Sequence, residues 1–412
     1  MGEGEQSAAA TREPGRIVRL AKTILSILFS IIGFAMALFL VHLPHGFEHW
    51  SADLRTLCFS DRRDGQYPSI TIVEVNEKIV DRHQFASPIN RKLISNIIKA
   101  VDQEGASVIG LDFIFDRHSI KEEDDDLIET IQKARAKIVL GIIDERTPID
   151  DTRAAYQANF VERTGRPKGH LYFGAGHSDH LTINADVVRT FSESGSHHGT
   201  SNGTKSFAEV VAREYGMPPA AAPSWTSRFA SLFVDGSPHI AWLLPPRNGS
   251  NTFTPLSADA VMKARELQVE DKLRGRIVLI GGRFLDRDLH LTPLSVRSEA
   301  RYPGVAIHAQ IIAQLLDGRS VYVLARWVEW VLGGAFVLVG FFAGYRLRGS
   351  HHWIEFTVLF AYLVFTVIVF WVWKLIFPFV TVFLAFGLGF AAGHSAHGAS
   401  SRGRSNVGHA RS

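Results

Sequence analysis

Four stretches of this chain are almost free of charge, and that limits what it can fold into more than any other feature. Ile24 to Val41 carries no formal charge, and with its flanks it makes an apolar run over 20–43. Three more runs lie near the far end, at 327–345, 353–373 and 375–392. At 1.5 Å rise per residue, about 20 apolar residues cross a hydrocarbon core of about 30 Å. A soluble helix of that length ordinarily carries a polar face. All four runs are therefore expected to be transmembrane helices. The first reads as an uncleaved anchor, because no small-x-small cleavage site precedes Val41-His42-Leu43-Pro44. Trp327, Trp330, Tyr345, Trp353, Trp371 and Trp373 stand at run ends, where a ring with one wet edge is most stable.

Basic residues set the expected orientation. Arg12, Arg16, Arg19 and Lys22 precede the first run, Arg346 and Arg348 follow the second, and Arg402, Arg404 and Arg411 follow the fourth. Four crossings put all three clusters on one side, which the positive-inside rule makes the cytoplasm. The expected plan is a cytoplasmic N-terminus (1–19), one helix (20–43), an exported domain (48–322), three helices, and a cytoplasmic tail (393–412). The lipid bilayer is thus the first expected partner. A net charge of +3 over 412 residues gives no footing for nucleic acid. The one cysteine, Cys58, cannot form an intrachain bridge, so the exported domain must stand on its core alone.

That domain reads as alternating strand and helix. Ser69 to Asn76 is rich in β-branched residues, a strand pattern. Ser87-Pro88 reads as a helix start, and Ile89, Leu93, Ile94, Ile97, Ile98 and Val101 share one helical face, with Gly105 to end it. Ser107 to Phe113 is a nearly continuous apolar strand, which suits a sheet covered on both faces. Asp124 to Asp126 open a second helix, and Lys137 to Ile143 is a third strand. Strand and helix alternating at this spacing imply βαβ units and an α/β fold with a mostly parallel sheet and flanking helices. Asp144 to Gly169 reads as a polar excursion. Leu171 to Ala175 and Ile240 to Leu244 are candidate strands, and Ser206 to Tyr215 a helix. Arg276 to Gly281 is a buried strand, and Val305 to Leu316 a helix entered through Pro303-Gly304.

Candidate chemistry is sparse. Gly203-Thr204-Lys205-Ser206 fails the spacing of a phosphate-binding loop, and Gly176-His177-Ser178-Asp179-His180 lacks the second glycine of a nucleophile elbow. No cofactor is expected. The best polar constellation is Asp112 and Asp116 with Asp286, Asp288, His290 and His308. Asp112 ends a predicted parallel strand, and ligands of open α/β sheets bind at that edge. Carboxylates and imidazoles there suit a divalent metal or an amine. The alternative is that Asp112 and Asp288 cap loops and His308 is an ordinary core histidine.

A set of segments stands in this order: Ser69–Lys78, Ser87–Arg91, Gly105–Asp116, Asp125–Ile131 and Lys137–Gly141, then Ala185–Arg189 and Ser206–Ala212, then Gly275–Gly282, Asp286–Pro293 and Tyr302–Gln310. On these segments, with its anchor, exported α/β domain and three clustered spans, the chain resembles bacterial receptors carrying the type 2 cyclase/histidine-kinase-associated sensory extracellular domain, CHASE2. Ala185-Asp186-Val187-Val188-Arg189 departs from the pattern by lacking a glycine. The likeness implies a sensor of an environmental signal or an unknown small molecule. Such receptors continue into a cytoplasmic catalytic domain, whereas this chain stops about 20 residues after the last run. No output enzyme is therefore expected, and a separate cytoplasmic effector would read the signal. Gly333, Gly334, Gly340, Gly387 and Gly389 are expected to allow close helix approach, as in a homodimer. Two other readings are a membrane-tethered exported metal-dependent enzyme and, behind it, a transporter subunit.

Overall fold

Residues 45–82, 88–144, 149–175, 187–191, 204–217, 231–236, 238–284, 289–296, 301–346 and 352–408 are described by a computed structural model. The first apolar run, Ser87, the tracts 176–186 and 192–203, Pro218 to Pro223, and both Asp286 and Asp288 lie outside the described residues. The elements are α1 (His45–Phe59), β1 (Ile70–Asn76), α2 (Glu77–Val80), α3 (Arg91–Gln103), β2 (Val108–Asp112), α4 (Lys121–Lys133), β3 (Lys137–Ile142), α5 (Asp151–Thr164), β4 (Lys168–His170), β5 (Phe173–Ala175), β6 (Val188–Phe191) and α6 (Phe207–Tyr215). Then follow β7 (Thr254–Ser257), α7 (Ala258–Met262), β8 (Ile277–Arg283), β9 (Leu289–His290), β10 (Tyr302–Pro303), α8 (Gly304–Asp317), β11 (Tyr322–Val323), α9 (Arg326–Arg346), α10 (His352–Trp373), β12 (Leu375–Ile376) and α11 (Val380–Gly408). The chain divides into two compact units. Among the described residues, an α/β unit holds those from His49 to Ala325 and from Phe365 to Phe377, and a helical unit holds those from 45 to 48, from Arg326 to Val364 and from Pro378 to 408.

The α/β unit is built on six parallel strands in the order β4-β3-β2-β8-β1-β7. Successive side chains of a strand point to opposite faces. Ile109, Leu111, Ile138, Leu140, Val278 and Ile280 therefore pack on one face, with α3, α4, α5 and α7. Val108, Val139, Ile277 and Leu279 pack on the other, with α6 and α8. Both faces are dry, which is why these strands read as unbroken apolar runs.

Several local details differ from the sequence reading. Helix α3 is capped by Asn90, whose side chain accepts from the Leu93 N–H at 2.8 Å, so Pro88 precedes the helix. Helix α4 starts at Lys121, with Glu122 and Glu123 in its first turn, while Asp124 is buried and turned inward. The supposed excursion after β3 contains α5, capped by the Asp150 carboxylate and ended by Gly165 at φ 64°. Only Gln157, Phe160, Val161 and Thr164 of that helix are buried, a stripe too narrow to show as an apolar period. Ile240 to Leu244 is extended but joins no ladder beyond isolated bridges. The Ile240 and Leu244 N–H groups donate to the carbonyls of Arg189 and Asp61, each at 2.8 Å, and the Ala241 and Leu243 N–H groups between them are met by α8. Gln310 Oε1 accepts from the Leu243 N–H and Gln314 Oε1 from the Ala241 N–H, at 2.9 and 2.7 Å. Their amide nitrogens donate back to the carbonyls of Leu243 and His239, each at 3.0 Å. Two glutamines four residues apart thus act as a strand partner, which backbone periodicity does not reveal.

In the helical unit, α9 and residues Phe356–Trp373 of α10 are long and apolar enough to cross a membrane, and α11 carries a shorter apolar stretch at Val380–Ala396. Helices α9 and α11 interlock through two facing Gly-x-x-x-Gly pairs. A Cβ on Gly340 or Gly344 would collide with the carbonyl oxygens of Phe386 or Phe390; one on Gly389 or Gly393 would collide with those of Val337 or Phe341. These contacts rise together along both helices, so the two run parallel, backbone against backbone, as small residues permit in a bilayer. Gly340 and Gly389, expected to serve a second copy, are filled within one chain, and Gly387 has nothing within 4 Å of its Cβ position. Helix α11 begins at Val380 rather than 375, because Lys374 (φ 54°) turns the chain and Pro378 precedes the helix. The Glu48 carboxylate of α1 accepts from the N–H groups of Phe379, Val380 and Thr381 at 2.8, 2.8 and 3.2 Å. An acidic group there satisfies the donors that open α11 and faces the positive end of its dipole. Tyr362 of α10 donates to the Pro378 carbonyl at 2.7 Å.

Candidate functional site

Asp112 is the last residue of β2, and strand parity turns it to the face covered by α6 and α8. Its register partner on β8 is Gly281. A Cβ at Gly281 would stand 2.6 Å from Cβ of Val305 and 3.2 Å from Oδ2 of Asp112. Glycine there lets the first turn of α8 rest on the strand end beside the carboxylate. One turn further along α8, His308 brings Nε2 to 3.9 Å from Oδ1 of Asp112.

His308 is 2% exposed. Its ring lies against Phe173 of β5 and Phe207 of α6, with centroids at 4.5 and 5.0 Å. Neither ring nitrogen has a hydrogen-bond partner among the described residues. Leaving a buried polar group unmet costs about 1–3 kcal/mol, so such a group calls for an explanation. His290 joins through Phe173, ring to ring at 5.5 Å, and His170, fully buried at the end of β4, completes the surround. Burial first, then the charges of His170 and His290, pushes the His308 imidazole down to about 3. Burial and Arg301 also lower His290. Both rings are neutral at neutral pH, the form whose lone pair binds a cation. The arrangement presents a carboxylate and neutral imidazole nitrogens at the carboxyl edge of a parallel sheet, where α/β folds bind ligands.

Of the six residues expected here, Asp112, His290 and His308 come together. Asp116 does not. The loop after β2 carries it to the opposite face, where it pairs with Arg153 of α5 and, at 3.6 Å, with Arg117. That neighbourhood is a separate polar network. Arg91, fully buried, donates from Nε to Asp124 at 3.0 Å and from Nη2 to the Arg117 carbonyl at 2.9 Å, with its guanidinium carbon 4.8 Å from the centre of the Phe115 ring. Asp124 also accepts from the Tyr156 hydroxyl at 2.9 Å and the Ser119 N–H at 3.1 Å. Burial, then Asp124, pushes the Tyr156 phenol up to about 12. Both carboxylates, Asp116 and Asp124, are met there by arginine. Among the described residues, no group of three or more His, Cys, Asp and Glu side chains is arranged to hold a metal ion. The sequence reading missed His170, Phe173 and Phe207. The aromatics announce themselves only as core, and His170 lies in a three-residue strand without an apolar pattern.

A second buried pair joins α1 to this unit. Arg189 of β6 holds Asp53 by two bonds, Nε to Oδ1 at 2.9 Å and Nη2 to Oδ2 at 2.7 Å. Burial raises the Asp53 carboxyl, against the hydrogen bond and charge of Arg189.

Comparison with known proteins agrees with the segments quoted above. The model of the CHASE2 domain family matches residues 27–344. No curated protein and no solved structure matches the chain. With most of its length matched, the chain belongs to the CHASE2 domain family, whose members are extracellular sensory domains of membrane receptors rather than catalytic domains.

Proposed function

We propose that this chain is an integral membrane sensor of the bacterial inner membrane, with 48–322 outside the cytoplasm and the signal received at the Asp112–His308 edge. One observation carries this reading. A fully buried, neutral imidazole with no hydrogen-bond partner among the described residues faces a carboxylate at the edge where such sheets bind ligands. Those groups suit a small cation, either a metal ion or a protonated amine. The carboxylate supplies charge, the imidazole a lone pair, and Phe173 and Phe207 supply faces that favour a cation. Output passes to a separate cytoplasmic partner through α11. At 29 residues its helix is about 43 Å long, more than a hydrocarbon core of about 30 Å requires.

The test is thermal unfolding of the full chain in lipid nanodiscs, first with zinc chloride and then with methylammonium chloride. A ligand at one hundred times its Kd stabilises by about 2.7 kcal/mol. One of the two should raise the midpoint, and Asp112→Asn should abolish the rise. A midpoint moved by neither, or moved equally in the variant, overturns the assignment.

A further inference from the structure

A continuous line of bonded groups leads away from the candidate site. His290 ends β9, and the next residue, Leu291, accepts at its carbonyl from the Val188 N–H at 2.9 Å. Val188 opens β6, and its neighbour Arg189 grips Asp53 of α1 through two parallel bonds, with side-chain exposures of 9% and 2%. Arg189 also donates to the Val187 carbonyl at 3.4 Å, which ties the guanidinium to its own strand. Two residues beyond Asp53, Arg55 donates to the Phe377 carbonyl at 2.7 Å, in the turn that precedes α11. Below Lys374 of the same turn, Asp61 pairs at 2.8 Å. Within the α/β unit, Asp53 and Arg55 both stand on the 49–59 stretch of α1.

We infer that the Asp53–Arg189 pair is the joint through which α1 reads the state of the His290–His308 site. Two considerations support a coupling role over a purely structural one. A buried ion pair seldom adds net stability over an apolar pair of similar volume, because desolvation offsets the attraction. A bidentate guanidinium–carboxylate contact does fix distance and angle, which apolar packing does not. The joint is also short in sequence on each side. One hydrogen bond separates β6 from the residue after His290, and one residue of helix separates Asp53 from Arg55. This inference rests on the reading of the Asp112–His308 edge as the sensing site.

Hydrogen exchange of the full chain in nanodiscs tests it without a known ligand, because a substitution serves as the perturbation. His308→Phe replaces the imidazole with an apolar ring among Phe173 and Phe207. Exchange in 49–59 should change by about fivefold or more, the lower end of ordinary coupling between sites. The pair is then replaced by Asp53→Leu with Arg189→Met, which leaves no charge unpaired. In that background His308→Phe should leave 49–59 unchanged, while slow exchange in β2 and β8 shows the fold intact. If His308→Phe never alters 49–59, or alters it equally without the pair, the joint is refuted. The cation titration judges the site separately. A chain that binds the cation but shows no change in α1 keeps the site and loses the joint. A chain that binds neither cation, yet shows a pair-dependent change in α1, supports the joint.

Discussion

Acid should weaken this protein through His308, by an amount that its burial fixes. An imidazole titrates near 6.5 in an unfolded chain and here is pushed down to about 3. Between those values the unfolded state holds a proton that the folded state refuses, so stability is complete above pH 6.5 and falls as pH falls. At 2% exposure the shift needs no discount for solvent screening. Each pH unit within the window is worth about 1.4 kcal/mol, so moving from pH 7 to pH 5 removes about 2 kcal/mol, roughly a 30-fold rise in the open population. The groups that face the ring are Asp112 on β2, His170 on β4 and His290 on β9. All three remain in His308→Phe, so the variant isolates the one proton. The assay is hydrogen exchange of the buried β2 and β8 amides at Ile109, Leu111, Val278 and Ile280, corrected for the intrinsic effect of pH. The natural chain should lose about 2 kcal/mol more than His308→Phe between pH 7 and pH 5. Equal losses would mean that His308 is already protonated or hydrated in the fold, and the account of the site would fail with it.

Three other perturbations follow from the same geometry. Arg91→Met leaves the Asp124 charge in the core without its cation and should cost about 3–5 kcal/mol in urea unfolding, whereas Arg91→Met with Asp124→Asn, which removes the charge and keeps an acceptor for Tyr156 and Ser119, should recover part of it. Gly389→Leu must push α11 off the Val337 carbonyl and should lower the thermal midpoint in detergent, while Gly387→Leu, with open space at its Cβ, should not. Gln314→Leu leaves the Ala241 N–H and the His239 carbonyl unmet and should cost about 1–3 kcal/mol by chemical unfolding, with faster exchange confined first to 239–244.

The elements legible in the sequence are those whose environment is uniform. β1, β2, β3 and β8 lie between two layers of helices, so nearly every residue is apolar and the run is unmistakable. α3 shows its period because seven of its thirteen residues are buried. α5 does not, since its buried stripe includes Gln157 and Thr164, which close local hydrogen bonds rather than add apolar signal. β7 is a four-residue edge strand with Pro255 in it, where one side of the backbone needs no partner. The glycines of the apolar runs were visible as small residues, but which helix they admit is decided in three dimensions. Gly340 and Gly389 meet each other's helices because α9 and α11 run parallel with α10 between them in sequence.

Asp112 and Asp116 show where pattern reading of the site ends. Both are acidic, both follow the same apolar run, and composition gives no reason to separate them. Two facts divide them. The first is parity. Counting from Val108, whose side chain meets the α6–α8 face, even steps reach Gly110 and Asp112 and odd steps reach Ile109 and Leu111 on the other face. That step is available from the sequence once the strand is placed, and it directs Asp112 toward α8 and His308. The second is the loop. After Asp112 the strand pattern ends, and Phe113 and Phe115 turn into the α3–α5 side of the core, taking Asp116 with them. What holds that turn is Arg91, the first residue of α3, buried against Phe115 with its charge met by Asp124. A fully buried arginine is the residue that sequence reading is least equipped to expect, because its cost in isolation is prohibitive and only its partners make it tolerable. The same logic separates the two clusters by function. Around Asp116 and Asp124 arginines meet the carboxylates, whereas beside Asp112 the neighbour is the neutral, buried imidazole of His308.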